Sequence, residues 1–216
     1  MMDKKELIMN KAMELFAKQG FEATSVQQIT EECGISKGAF YLSFHSKKEL
    51  IMTLIDHFMV HLLERLNDIV NNTDKEHVLY TFYYETHQYF SKHIDFAKFF
   101  LKELPSLSLN NDDLYRLFKS HDKQLEKTIL RMLNKVFGPS IEPLKYDLMQ
   151  CVKLFIGMYG ELLIRSSANI DFHLLAKSLT DKTNVLANHM SVPFVTESLV
   201  FALEDGQNEP SVEKDN

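Results

Sequence analysis

Apolar residues recur three and four positions apart along almost the whole chain, and the period-two alternation of strands is scarce, so the pattern predicts an all-α protein. Ile8, Ala12, Leu15 and Phe16 define one face of a first helix, which Gly20 ends. Ser25 followed three residues later by Gln28 has capping-box spacing and opens a short second helix, whose Val26, Ile29 and Cys33 point inward. Gly34 stops it, and Ser36 caps a third helix about one turn of chain later. Ser46 and Glu49 form a second such spacing, opening a long helix through Leu50, Leu54, Phe58 and Leu62 to about Val70. Further helices are predicted at about 75–92, 94–104, 111–137, 143–167 and 171–190, punctuated by Pro105, Gly138, Pro139 and Pro143. From residue 204 the chain is polar and reads as a disordered tail. The domain expectation is 1–46, 47–203 and the tail 204–216.

Charge changes this picture locally. The protein carries 24 Lys and Arg against 30 Asp and Glu, a net charge of -6, but residues 1–50 are balanced. Residues 33–48, CGISKGAFYLSFHSKK, hold three lysines and no acid. On a 3.6-residue period Phe40 and Phe44 share a face that packs with Ile35 against Ile29 and Phe16, while Lys37 and Tyr41 share another. Two short helices joined by a tight glycine turn, with a supporting helix before them, make a helix-turn-helix. Lys37 suits a base edge or a phosphate, the Tyr41 hydroxyl suits a phosphate oxygen, and Gly38 removes a side chain where a backbone must come close. Lys47 and Lys48 oppose the dipole at the start of the long helix, a local conflict that fits a phosphate-holding role.

These residues carry a resemblance. Phe16, Gly20, Thr24-Ser25-Val26, Ile29, the run from Cys33 to Gly38, Phe40-Tyr41, Phe44 and the run from Ser46 to Leu50 resemble the N-terminal signature of the TetR/AcrR family of bacterial transcription regulators. The resemblance covers about the first fifty residues. It implies a homodimeric, usually repressing regulator that binds double-stranded DNA at a palindromic operator and is released by a small-molecule effector in the C-terminal domain. Carried over by position, Ser25, Gln27 and Tyr41 contact phosphate, Lys37, Gly38 and Ala39 face bases, and Lys47 clamps the backbone. Ser36, Ser43 and His45 complete the candidate DNA-binding set. At Leu42-Ser43 the chain departs from the family, where another aromatic and then histidine are common, so base preference does not carry over there.

The remaining chemistry is weaker. Nine aromatics lie between residues 80 and 100, and the candidate ligand-binding set is Tyr83, Glu85, Tyr89, Phe96, Phe100 and Glu103, suited to an apolar or cationic effector. The alternative for these rings is plain core. Phe155, Tyr159, Leu162, Leu179 and Leu186 are candidates for a four-helix dimer interface, with Gly157 and Gly160 allowing close helix approach; burial in their own domain is the other reading. His57, His61 and Glu64 share a helical face, but the spacing lacks a metalloprotease glutamate and no metal site is expected. No catalytic motif, phosphate loop or dinucleotide fingerprint occurs, so neither enzyme activity nor a cofactor is expected. Cys33 and Cys151 have no metal or disulfide spacing and read as free thiols of a cytoplasmic protein, and no run of residues is apolar enough for a membrane span. Two other classes stay open: a helical ligand carrier or enzyme with a structural N-terminal domain, and a protein-interaction adaptor.

Overall fold

A computed structural model describes residues 3–109, 111–165 and 170–200; the expected tail at 204–216 lies outside them. Among the described residues every regular element is helical. Helix α1 (Lys4–Gln19) supports α2 (Val26–Cys33) and α3 (Lys37–Tyr41), and α4 (Lys47–Asn72) leads into a bundle of α5 (Val78–Lys92), α8 (Asp112–Phe137), α9 (Lys145–Arg165) and α10 (Phe172–His189). Between α5 and α8 the chain forms α6 (Ile94–Lys98), a π-helical turn (Phe99–Glu103) and α7 (Leu104–Leu109).

The expected stop at Pro105 is overturned, because the chain stays helical through it. Proline has no N–H for the carbonyl four residues back, and its ring clashes with that carbonyl. The turn before it widens instead, and Leu104 donates its N–H to Phe99 five residues earlier. The start signals behave as read. Ser25 Oγ accepts from Gln28 N–H while the Gln28 side chain accepts from Ser25 N–H. Ser46 Oγ accepts from Glu49 N–H, but the Glu49 carboxylate reaches back one residue further, to His45 N–H at 2.6 Å. Gly34 ends α2 with φ 64°, a conformation that costs any residue with a Cβ, and this sets the tight turn into α3.

Two apolar clusters result. The first joins Ile8, Ala12 and Phe16 of α1 with Ile29, Phe40, Phe44 and the Leu50–Ile55 part of α4, and it extends to Phe96, Phe99, Leu104 and Leu114. The second gathers Leu62 and Leu66 of α4 with Phe82, Tyr83 and Phe90 of α5, Ile129 and Met132 of α8, Val152 and Ile156 of α9, and Leu179 of α10. Helix α4, at 26 residues about 39 Å long, passes from one cluster to the other. The N-terminal cluster therefore does not close at residue 46.

Polar bonds hold the junction. The loop at residues 20–24 leaves backbone groups outside any helix, and these need partners. Lys47 Nζ donates to Phe21 O at 2.7 Å and to Thr24 O at 2.8 Å, and it sits 4.3 Å from the centre of the Phe21 ring. On the other side, Glu103 Oε2 accepts from Phe21 N–H at 3.0 Å. At the far end of α4, Lys135 of α8 donates to Val70 O at 2.8 Å and Asn71 O at 3.2 Å, satisfying carbonyls that the helix end exposes.

Lys47→Met keeps the apolar stem but strands the loop carbonyls, and its expected cost is about 2 kcal/mol in denaturant unfolding. A second prediction concerns pH. Burial lowers the His87 pKa below the ordinary 6.5, although its Nδ1 lies 2.8 Å from Tyr83 O, and burial also lowers His57 and His93. The unfolded chain then binds more protons, so this stability is complete above about 6.5 and is lost as pH falls through the folded values. The unfolding midpoint is expected to drop between pH 7.5 and 5, and His87→Gln to flatten that slope.

Candidate functional site

The third helix places its faces according to what the core requires. Phe40 and Phe44 are buried in the N-terminal cluster. At 100° per residue, Gly38 and Leu42 lie almost opposite Phe40, so they form the crest of the outward face. Leu42 is 89 % exposed, and Tyr41 beside it is half exposed. An apolar side chain at the crest of a polar, acid-free face suits a thymine methyl group in a major groove. The sequence singled out Leu42 only as a departure from a pattern; its exposure comes from the geometry of Phe40.

Ser25, Gln27, Ser36, Lys37, Gly38, Tyr41 and His45 are all exposed, and Ala39, Ser43 and Lys47 are partly so. Several are already engaged. Ser36 Oγ accepts from Ala39 N–H at 3.2 Å, and Lys37 Nζ donates to Gln27 Oε1 at 3.3 Å, tying α3 to α2. Gln27 in turn donates to Glu31 at 2.9 Å. The Lys47 ammonium is spent on the 20–24 loop, so its position fixes the loop before it meets any phosphate. Cys33 Sγ lies 3.9 Å from Leu7 O, and burial pushes its thiol pKa up, away from the reactive thiolate.

Below this domain lies a cavity of about 140 Å³ between α4, α5, the π turn, α8 and α9. Met59, Leu62, Phe90, Phe100, Leu101 and Phe118 line it, with Asp122 and Lys153 in its wall. A wider outer recess of about 420 Å³ shares Leu101, Lys153 and Gly157 with it. The π turn thus carries cavity wall at Phe100 and Leu101 and, two residues on, the carboxylate that holds Phe21. Gly160 makes room for this turn, since a Cβ there would meet Leu101 Cδ1 at 3.1 Å. The neighbour that Gly160 admits is therefore the chain's own π turn, while Gly157 opens into the cavity.

Of the aromatic and acidic residues expected to bind a ligand, Phe100 alone lines this cavity. Tyr83 is fully buried, its hydroxyl 2.8 Å from Thr183 Oγ1, and burial drives its pKa well above the ordinary value. Tyr89 donates to Phe58 O at 2.8 Å, with its pKa pushed up to about 12 by burial. Phe96 stacks on Phe58 at 4.5 Å, and Glu85 accepts from Arg65 Nε at 2.9 Å. Glu103 serves Phe21. Helical spacing put these aromatics on inward faces, but the inward face here is mostly close-packed core.

Among the dimer candidates Leu179 is corrected, because it is completely buried in its own core and has no surface to offer a partner. Phe155, Tyr159 and Leu186 pack partly against that core. Leu162 is exposed and continues a stripe with Leu154 and Met158, four residues apart on α9; Leu174 and Val185 are exposed on α10. His57 and His61 pack edge to face at 4.5 Å, with His61 Nδ1 3.8 Å from Glu64, and no group of three or more ligating side chains has metal-binding geometry among the described residues. No helix among the described residues is long and apolar enough to cross a membrane.

Comparison with known proteins agrees with this geometry. Residues 8–53 match the model of the bacterial regulatory proteins of the tetR family. Over 225 residues the chain is 30 % identical to the uncharacterized HTH-type transcriptional regulator YuxN of Bacillus subtilis (strain 168), spanning 99 % of this chain and 76 % of that protein. It is 29 % identical over 196 residues to the uncharacterized HTH-type transcriptional regulator YerO of the same organism, spanning 88 % and 67 %. The fold is similar to that of the transcriptional regulator FadR from Bacillus subtilis in complex with stearoyl-CoA, with a TM-score of 0.69 at 16 % identity over 86 % of this chain and 98 % of that one. The chain belongs to the tetR family of bacterial regulatory proteins and is a helix-turn-helix transcriptional regulator.

Proposed function

We propose that this regulator is a cytoplasmic homodimeric repressor that binds a palindromic operator and leaves it when a small molecule fills the cavity beneath the DNA-binding domain. One observation carries the gating step: a single π turn supplies Phe100 and Leu101 to the cavity and Glu103 to the Phe21 amide. An occupant that displaces Leu101 shifts the carboxylate that positions the 20–24 loop, and with it α2 and α3. The stearoyl-CoA complex of FadR is a precedent for small-molecule binding in this fold.

In this reading residues 1–46 form the reading head, 47–203 the effector and dimerisation domain, and the Leu154, Met158 and Leu162 stripe meets its counterpart in a second copy. Two recognition helices must then lie ~34–36 Å apart to enter successive major grooves. Lys37, Gly38, Ala39 and Leu42 face bases, and Ser25, Gln27, Ser36, Tyr41, Ser43 and His45 line the flanking phosphates. Lys47 acts through the loop it holds. The protein works by binding and not by turnover.

Selection of bound fragments from the source genome, with gel shifts and light scattering on the products, tests this reading. A set of bound fragments with no inverted repeat, or a monomer on DNA, would sink it. Lys37→Ala and Tyr41→Phe are expected to weaken operator binding by about tenfold or more with unchanged thermal unfolding. Leu42→Ala is expected to relax preference at one T·A pair by about 1 kcal/mol while leaving the salt dependence of binding intact, since it touches no phosphate.

A further inference from the structure

The cavity wall holds more charge than an apolar pocket needs. Lys153 of α9 donates to Asp122 at 2.9 Å and Glu126 at 2.6 Å, both on α8. The three side chains are 21 %, 22 % and 18 % exposed, so they are mostly withdrawn from water. One ammonium faces two carboxylates, which leaves the group with a surplus negative charge. Lys153 stands at the neck where the inner cavity meets the outer recess, and Asp122 forms part of the inner wall. At the recess rim Glu161 is already paired with Arg165 at 2.7 Å and adds no net charge. His121, next in sequence to Asp122, faces Asp56 of α4 at 3.2 Å instead, and burial lowers its pKa, which disfavours the charged imidazole.

The surplus decides which ligand the neck favours. An anion must draw Lys153 away from both carboxylates, leaving two poorly hydrated negative charges beside it, and breaking such a pair is costly. A cation instead completes the charge balance. The rings of Phe90, Phe100 and Phe118 further in offer a fitting surface for an apolar group. An apolar cavity of ~150 Å³ admits a benzene-sized ring, the size class of the inner cavity.

We propose that the occupant is a compact lipophilic cation, with its apolar group among Phe90, Phe100 and Phe118 and its positive nitrogen toward the neck against Asp122, while Glu126 holds Lys153 from behind the wall. This rests on the reading of the cavity as the effector site and names the ligand class. The neck differs in kind from a site for a ligand with an anionic headgroup, where the basic side chain must be free. Glu85 and Glu103, the acids the sequence offered as counter-charges, are committed to Arg65 and Phe21, and the role passes to α8.

NMR titration of the full chain with three matched probes tests the proposal: benzyltrimethylammonium, the neutral benzyl isopropyl ether and the anionic phenylmethanesulfonate. The ammonium is expected to bind at least tenfold tighter than the ether, and the sulfonate not to bind. Asp122→Asn and, separately, Glu126→Gln are expected to lower affinity for the ammonium at least fivefold and leave the ether unchanged. The wild-type series decides the matter if either variant misfolds. Equal affinity for ammonium and ether, tighter binding of the sulfonate, or no binding of any probe overturns the proposal. Gel shifts on the selected operator run in parallel: retained operator binding with any of those three results removes the ligand class alone, whereas absence of sequence-selective DNA binding removes the regulator reading.

Discussion

The loop at residues 20–24 has backbone groups that no helix satisfies, and the position of the DNA-reading helices depends on how they are met. Lys47 takes the carbonyls from one side and Glu103 takes the Phe21 amide from the other. The lysine belongs to the first turn of α4, where the helix dipole disfavours it, so its compensation is this set of acceptors. The glutamate belongs to the π turn. A loop that would be the loosest part of the N-terminal domain is thereby tied to both helical layers beneath it.

That tie explains why the π turn is where it is. Pro105 cannot donate to the carbonyl four residues before it, and an unbroken α-helix would carry that gap. In the widened turn Leu101 lies against α9, where a Cβ on Gly160 would come within 3.1 Å of Leu101 Cδ1, and Glu103 still reaches the loop. An irregularity in the backbone, a missing side chain and one carboxylate thus form a single mechanical unit between cavity and DNA-binding domain. Irregular turns of this sort are frequent at functional sites.

Local physics was legible in the sequence and long-range pairing was not. Ser25, Ser46, Gly34 and the inward faces of α1 to α4 could be read because caps and helical periods involve residues within four positions of one another. The outward placement of Lys37 and Tyr41 followed from the same periodicity, and the exposure of Leu42 became clear once Phe40 was known to be buried. The cavity was different. Its charged wall sets Asp122 beside Lys153, which Glu126 also holds, some thirty residues apart in the chain, and the helix pairing that brings them together leaves no spacing signal. The aromatics of α5 were conspicuous in sequence for their number alone: Tyr83, Phe82 and Phe90 are core or wall according to the tilt of α5, which no single helix encodes. Lys47 shows the opposite error of emphasis, a lysine read for phosphate that the fold uses first for carbonyls.

On the proposed reading, a ligand changes DNA affinity only if it binds the two arrangements of the π turn with different strength. The cavity supplies such a difference. With Leu101 packed over Gly160 the cavity is small, and Leu101 and Lys153 line both it and the recess. A group whose apolar part fills the inner space while its charge stays at the neck must occupy both sides of Leu101 at once. The arrangement with Leu101 in place accommodates it less well than one with Leu101 displaced, and Glu103 is two residues from Leu101 on the same turn. The energy of coupling is then bounded by the cost of moving one leucine and one hydrogen bond, a few kcal/mol, which is the range in which effectors of this kind operate.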